Sequence, residues 1–398
     1  MKSLRHSRAL LSIIFVSFMY ILGSAVTRDL RPLYFVEVGA DPVQLGLLMA
    51  VPAIVSIFTR LPSSAVSRRV GRWRMMLFTL ALMIVSTALF AFVRDPVWFF
   101  PLVALGAFSW AAFSPLAVEL VLDQSSPSTR GGTMGLYFTS IGAAMFVGPL
   151  ISSVLTVVVD LRQLFLVTAV IPVASLVVFL RVIKPGDMRE NREEGGADGG
   201  LGGGSIMRIL KVRNFASLSV ARIAYALSMG VFSTIYPVYA GVTLGFSPSL
   251  IALLFTFRGV TNVLIRTPAG RLSDRIGRRR PFIFALAMAV AVYVLLGTVE
   301  TFGPLIVVMS LFGISWGMRI APSMALVSDS VLDVDRPLAL VLFMTMFDIG
   351  AAMGALLAGF SSAILSQQTL LLMCAPILLG SLLVFVLFSK EVDHTDGF

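Results

Sequence analysis

Apolar residues run in twelve long blocks along the chain, at roughly 9–36, 43–63, 74–93, 97–122, 131–158, 163–183, 214–240, 248–268, 281–300, 304–328, 337–363 and 369–389. A helix that crosses the hydrocarbon of a bilayer needs about 20 mostly apolar residues. Each block meets or approaches that length, so the pattern predicts an all-α membrane protein with twelve transmembrane helices. Most charged residues lie in the joins between blocks, and they are unevenly shared. Joins after odd-numbered blocks hold only Arg94 and Arg162 as cations, beside Asp41, Asp95 and Asp160. Joins after even-numbered blocks hold Arg68, Arg69, Arg72 and Arg74, then Arg130, then Lys184, Arg189 and Arg192, then a dense group at 271–280, then Arg336. Lys2, Arg5 and Arg8 precede the first block. Cytoplasmic loops carry the excess of Lys and Arg. Both termini are therefore expected in the cytoplasm, with the chain a multi-pass protein of the cell membrane.

Composition agrees with that reading. Of 398 residues, 57% are apolar and 13% charged, against about a quarter charged in ordinary soluble domains. The net charge of +10 would suit nucleic acid, but its Arg residues lie in short joins between spans, so no nucleic-acid partner is expected. Cys374 is the one cysteine, which excludes a disulfide framework and a thiolate metal site. His6 and His394 are the two histidines, both in the polar tails. No catalytic constellation, metal site or cofactor is expected, and the chain is not read as an enzyme. The first block lacks a small-residue cleavage site after it, so it is expected to remain as a helix.

A Gly-rich stretch, 195–204, follows the sixth block. Without a Lys-Ser/Thr pair or a strand before it, it is not a phosphate loop but a flexible linker. The expected organisation is an N-terminal six-helix bundle at 1–185, a cytoplasmic linker at 186–205 and a C-terminal six-helix bundle at 206–398. The two halves repeat. A shift of 206 places Gly39 on Gly245, Pro42 on Pro248, Arg60 on Arg266, Pro62 on Pro268, Gly71 on Gly277, Arg72 on Arg278, Trp110 on Trp316, Asp123 on Asp329 and Arg130 on Arg336. Ile141-Gly142-Ala143-Ala144-Met145 recurs 208 residues later as Ile349-Gly350-Ala351-Ala352-Met353.

The densest polar join, Gly270-Arg271-Leu272-Ser273-Asp274-Arg275-Ile276-Gly277-Arg278-Arg279-Arg280, is expected as a tight turn in which Gly permits the reversal. It resembles the signature loop of the major facilitator superfamily, Gly-x-Leu-x-Asp-Arg-x-Gly-Arg-Arg, at every defined position. With the two-fold repeat, the resemblance covers the whole chain and implies two pseudo-symmetric six-helix bundles with a binding site near mid-membrane. It also implies gating roles for Gly270, Asp274, Arg275, Gly277 and Arg278. By that analogy Asp274 would face the start of the fifth helix near Arg130. In the first-half copy Ser64 and Arg68 replace the Gly and Asp. Arg68 is read either as a polarity-swapped latch facing Asp333 and Asp335 or as a topology charge alone. Gly142, Gly148 and Pro149 resemble an element of the proton-coupled exporters in this superfamily, or serve generic helix packing. An Arg usual in the fourth helix of resembling drug exporters is replaced by Val103.

Charges inside a span cost at least about 2.5–3.5 kcal/mol at a helix centre and mark functional sites by default. Asp348 lies about 16 Å along its helix from Pro337, and Arg258 about 14 Å from Ser249. Arg222 lies shallower, and Arg319 nearer the end of the tenth helix. Arg28, Asp29 and Arg31 crowd the far end of the first helix. These residues are the candidates for contact with substrate or proton: Asp348, Arg222, Arg258, Arg319 and Asp29. For Asp348 three roles stand open: carrying a proton, completing an ion pair with Arg222 or Arg258, or touching substrate.

The resemblance implies a secondary transporter moving a small solute by alternating access, with proton-coupled efflux as first reading. Uptake or exchange of an anionic solute is the alternative, because Arg222, Arg258 and Arg319 outnumber Asp348; a membrane receptor ranks behind both. The expected partners are a small-molecule substrate, protons and the lipid bilayer, with the chain a monomer.

Overall fold

A computed structural model describes the backbone of residues 2–125, 129–184 and 203–389, and the side chains of those residues apart from 2–9, 60–66, 68, 203 and 204. Among the described residues there are helices, turns and no strands. The helices are α1 (Lys2–Arg28), α2 (Arg31–Glu37), α3 (Pro42–Val70), α4 (Arg72–Phe90), α5 (Phe99–Asp123), α6 (Arg130–Leu155), α7 (Leu161–Thr168) and α8 (Val170–Val182). They continue as α9 (Gly203–Lys211), α10 (Arg213–Val238), α11 (Pro248–Ile276), α12 (Arg279–Thr298), α13 (Phe302–Ser330), α14 (Arg336–Ser361) and α15 (Gln367–Phe388). Among the described residues, twelve segments are long and apolar enough to cross a membrane, one for each block of the sequence pattern.

The blocks and the helices differ where proline or water intervenes. The first block divides at Asp29-Leu30, just before Pro32 at the start of α2. Proline disfavours helical backbone in the residue before it and lacks the N–H that would continue the ladder. The sixth block divides at Ala169, three residues before Pro172. In the opposite direction, α11 continues through Gly270 to Ile276. Only Gly277 and Arg278 remain to form the turn expected across the whole of 270–280. The charged residues of that segment ride on a helix end, where their side chains are mostly exposed, so nothing forces the helix to stop earlier. Residues 203–205 of the expected linker open α9; its earlier part, 186–202, lies outside the described residues.

The chain divides into two compact units. The first comprises Met1–Arg192 with Pro237–Thr256, and the second comprises Glu193–Tyr236 with Phe257–Phe398. In the first unit α1 packs on α6 and α8, and α5 on α3 and α4. Rings of Tyr34, Phe90, Phe99 and Phe165 meet within it at centroid distances of 4.8–5.6 Å. Ser249 Oγ donates to the Ser153 carbonyl at 2.7 Å, tying the start of α11 to α6 within this unit. In the second unit α12 packs on α13 and α15, and Ser315 Oγ donates to the Ala285 carbonyl at 2.8 Å, which satisfies a buried hydroxyl.

The repeat reappears in backbone geometry. The positive φ angles among the described residues fall at Gly39, Gly71, Gly245 and Gly277, at 107°, 94°, 72° and 87°. These are two pairs separated by 206 residues. Each glycine follows the end of a helix, in a region that side chains with a Cβ rarely enter.

Candidate functional site

The signature segment ends in an ion pair. Gly277 turns the chain so that α12 begins at Arg279, and Arg278 Nη1 lies 2.8 Å from Asp329 Oδ2 near the end of α13. The first unit repeats the arrangement: Arg72 bonds Asp123, with Glu119 3.6 Å away on the same face of α5. Asp274 and Arg275 are exposed on the last turns of α11, and Arg130 is exposed at the start of α6. Gly270 has open space where a Cβ would stand. The side chain of Arg68 lies outside the described residues. The two acids considered for it are engaged inside their own unit. Asp335, 4% exposed, accepts from Arg208 Nε and Nη2 of α9 at 2.8 and 2.7 Å, and Asp333 pairs with Arg336 at 2.8 Å.

The interior of the second unit gathers the predicted cations on α10, α11 and α13. The Arg222 guanidinium lies 4.8 Å from the ring centres of both Phe343 and Phe347. Arg258, buried at 5% exposure, faces Phe232, Trp316 and Phe312 at 5.4–5.7 Å. Arg319, buried at 6%, stacks on Tyr225 with its Cζ 3.0 Å from the ring centre. Asp348, half-buried on α14, lies within electrostatic reach of Arg222. Tyr225, Tyr293 and Arg222 are electrostatic neighbours of Arg319.

Small residues bring these helices together. A methyl on Gly354 would strike the Leu227 carbonyl, and one on Gly350 would stand 2.6 Å from the Ile223 carbonyl oxygen. Thus α14 touches α10 backbone to backbone beside Asp348 and Arg222. On the other side, methyls on Gly313 and Gly317 would meet the carbonyls of Arg258 and Asn262, so α13 touches α11 equally closely. Thr261 Oγ1 bridges the same pair, donating to the Ser310 carbonyl at 2.9 Å.

A narrow cleft, partly open to solvent, lies between α10, α12, α13 and α14 and is lined by Arg222, Tyr225, Trp316, Arg319, Ser323 and Phe343, among others. The Nε atoms of Arg222 and Arg319 are buried with no hydrogen-bond partner among the described residues. A cation over an aromatic face gains about 0.5–2 kcal/mol. Placing an Arg at a helix centre costs about 2.5–3.5 kcal/mol or more. Ring stacking therefore offsets only part of the cost of two guanidiniums in this cleft.

The remaining predicted residues lie in the first unit. Asp29 Oδ1 is 3.5 Å from Arg28 Nε at the break between α1 and α2, and the neighbouring Arg31 donates to Thr27 Oγ1 at 3.4 Å. Gly148 packs against the backbone of Ala25 and Val26, where a methyl would collide, and Pro149 is buried beside it within α6. Sequence reasoning missed Tyr225, Phe343 and Phe347, because aromatic residues are common in every span. Trp316 was singled out only as a repeat partner of Trp110. It also missed the Arg208–Asp335 fork, since α9 borders the Gly-rich stretch.

Comparison with known proteins places the chain in one family. The sequence description of the Major Facilitator Superfamily matches residues 9–222 and again 218–397. Uncharacterized MFS-type transporter MJ1560 of Methanocaldococcus jannaschii is 22% identical over 88% of this chain and 90% of its own length. Multidrug resistance protein 2 of Bacillus subtilis is 24% identical over 68% of this chain and 67% of its own. In fold, the chain is similar to the nucleoside transporter NupG, with a TM-score of 0.79 at 14% identity over 96% of this chain and 98% of that one. It is also similar to a bacterial homolog of the human lysosomal transporter Spinster, with a TM-score of 0.78 at 12% identity over 96% and 95%. The two-fold family match follows the internal repeat, the fold likeness covers nearly the whole chain, and the protein belongs to the Major Facilitator Superfamily of membrane transporters.

Proposed function

We propose that this protein is a proton-coupled secondary transporter that exports a small solute by alternating access. The observation that carries the reading is Asp348 within electrostatic reach of Arg222, beside the glycine-lined contact of α14 with α10. A carboxyl takes up a proton more readily when buried and less readily beside a guanidinium. A shift between two closely packed helices can therefore change its proton affinity by moving the Arg. Each proton crossing 100 mV supplies about 2.3 kcal/mol. Export is favoured over uptake by Gly148-Pro149 and by a relative named as a multidrug resistance protein. In this reading Gly270, Asp274, Arg275, Gly277, Arg278, Arg68, Arg130, Gly148 and Pro149 serve gating. In this reading both termini lie in the cytoplasm of a cell-membrane protein, which the distribution of Arg supports, and the chain acts as a monomer.

The test is flux of a panel of solutes in proteoliposomes under an imposed pH gradient. Wild type is expected to move at least one solute against its gradient. Asp348→Asn is expected to lose that uphill movement while retaining solute exchange. Full pH-driven transport by a well-folded Asp348→Asn protein would eliminate the coupling role.

A further inference from the structure

The geometry points to a binding site for a small organic monoanion, a carboxylate on a flat apolar body, in the cleft between α10, α13 and α14. The inference rests on the transport reading above and names the chemistry of what is carried. Arg222 and Arg319 both line the cleft, and each has a buried Nε with no hydrogen-bond partner among the described residues. Arg319 is 6% exposed, so water cannot readily complete its hydrogen bonding. Two guanidiniums sharing one low-dielectric space repel each other, and each favours an anion placed between them. Among the residues that line the cleft none is acidic. An anion from outside the chain is the chemistry that balances these two guanidiniums.

Charge narrows the class. Asp348 is within electrostatic reach of Arg222, whereas the neighbours of Arg319 are Tyr225, Tyr293 and the like-charged Arg222. One added negative charge suits that balance better than two. A planar carboxylate matches the guanidinium fork in geometry as well as charge. The rest of the lining describes the body of the ligand. Trp316, Tyr225 and Phe343 contribute aromatic rings, Ile320 an aliphatic side chain, and Ser323 little bulk. Flat apolar groups stack on such faces. A cationic or strongly hydrated solute would find repulsion there and few partners.

Binding of benzoate, benzamide, acetate and benzylammonium to the detergent-purified full chain, measured by calorimetry, tests the site. Benzoate is expected to bind saturably. Its neutral isostere benzamide should bind about tenfold or more weaker, because a charge-assisted bond is lost. Acetate should also bind weaker than benzoate, having no ring to stack, and benzylammonium should not compete. Arg222→Gln and Arg319→Gln should each weaken benzoate by about tenfold or more. Should either fail to fold, Arg319→Lys keeps the charge but loses the planar fork, and Ser323→Leu fills the cleft; both should weaken benzoate. Thermal melting without ligand reports folding for every variant. Benzamide binding as tightly as benzoate would overturn the anion, acetate matching benzoate would overturn the flat body, and benzoate binding untouched in the folded variants would overturn the location. Benzoate binding with no pH-driven flux of any solute would remove the transport reading while leaving the site. Flux without carboxylate preference would remove the site and leave transport.

Discussion

Arg278 Nη1 stands 2.8 Å from Asp329 Oδ2, joining the turn after α11 to the end of α13. The corresponding residues 206 positions earlier, Arg72 and Asp123, are bonded in the first unit. The two pairs differ in exposure: 27% and 16% for Arg278 and Asp329, against 18% and 48% for Arg72 and Asp123. Screening by water weakens exposed pairs most.

A double-mutant cycle with Arg278→Gln and Asp329→Asn is therefore expected to give a coupling of about 1–2 kcal/mol in unfolding from mixed micelles. The cycle with Arg72→Gln and Asp123→Asn should give less, about 0.5–1 kcal/mol. Equal couplings, or none in the second unit, would refute the assignment of strength to burial.

Gly354 and Gly270 offer a matched contrast on two helices. A methyl at 354 would strike the Leu227 carbonyl, whereas a methyl at 270 meets nothing within 4 Å. Gly354→Ala is expected to lower stability by about 1–3 kcal/mol through overpacking. Gly270→Ala should be neutral or stabilising by up to about 1 kcal/mol, since Ala favours helix over Gly. Unfolding measured for the two proteins side by side checks the sign of each change.

At Gly277 the backbone itself is the constraint, with φ at 87°. Gly277→Ala is expected to cost about 1–2 kcal/mol. Gly277→Asn should cost less, because Asn visits left-handed backbone more readily than Ala. A melting temperature for the Asn variant at or below that of the Ala variant would count against a conformational origin.

Asp335 is nearly inaccessible and holds the fork of Arg208. Arg208→Gln leaves a buried carboxylate without its charged partner, so the melting temperature should fall. Adding Asp335→Asn to that variant should restore part of the loss by removing the stranded charge. A further fall in the double variant would show that the two side chains act independently.

Twelve spans, their order and the two-fold repeat were legible in the sequence, because hydrocarbon admits few backbone solutions and long apolar blocks report them directly. The four turn glycines were legible as repeat partners for a local reason: their φ angles exclude most other residues. The two breaks beside Pro32 and Pro172 were hidden inside apolar blocks, since hydropathy alone does not register a missing N–H. The cations of the interior could be named from their depth, but not their surroundings. Arg222, Arg258 and Arg319 lie in three separate helices, and which rings face them depends on how those helices rotate and cross. Gly313, Gly317, Gly350 and Gly354 decide that crossing through backbone contact at single atoms. Such contacts depend on partners far away in the chain, and only the folded structure brings them together.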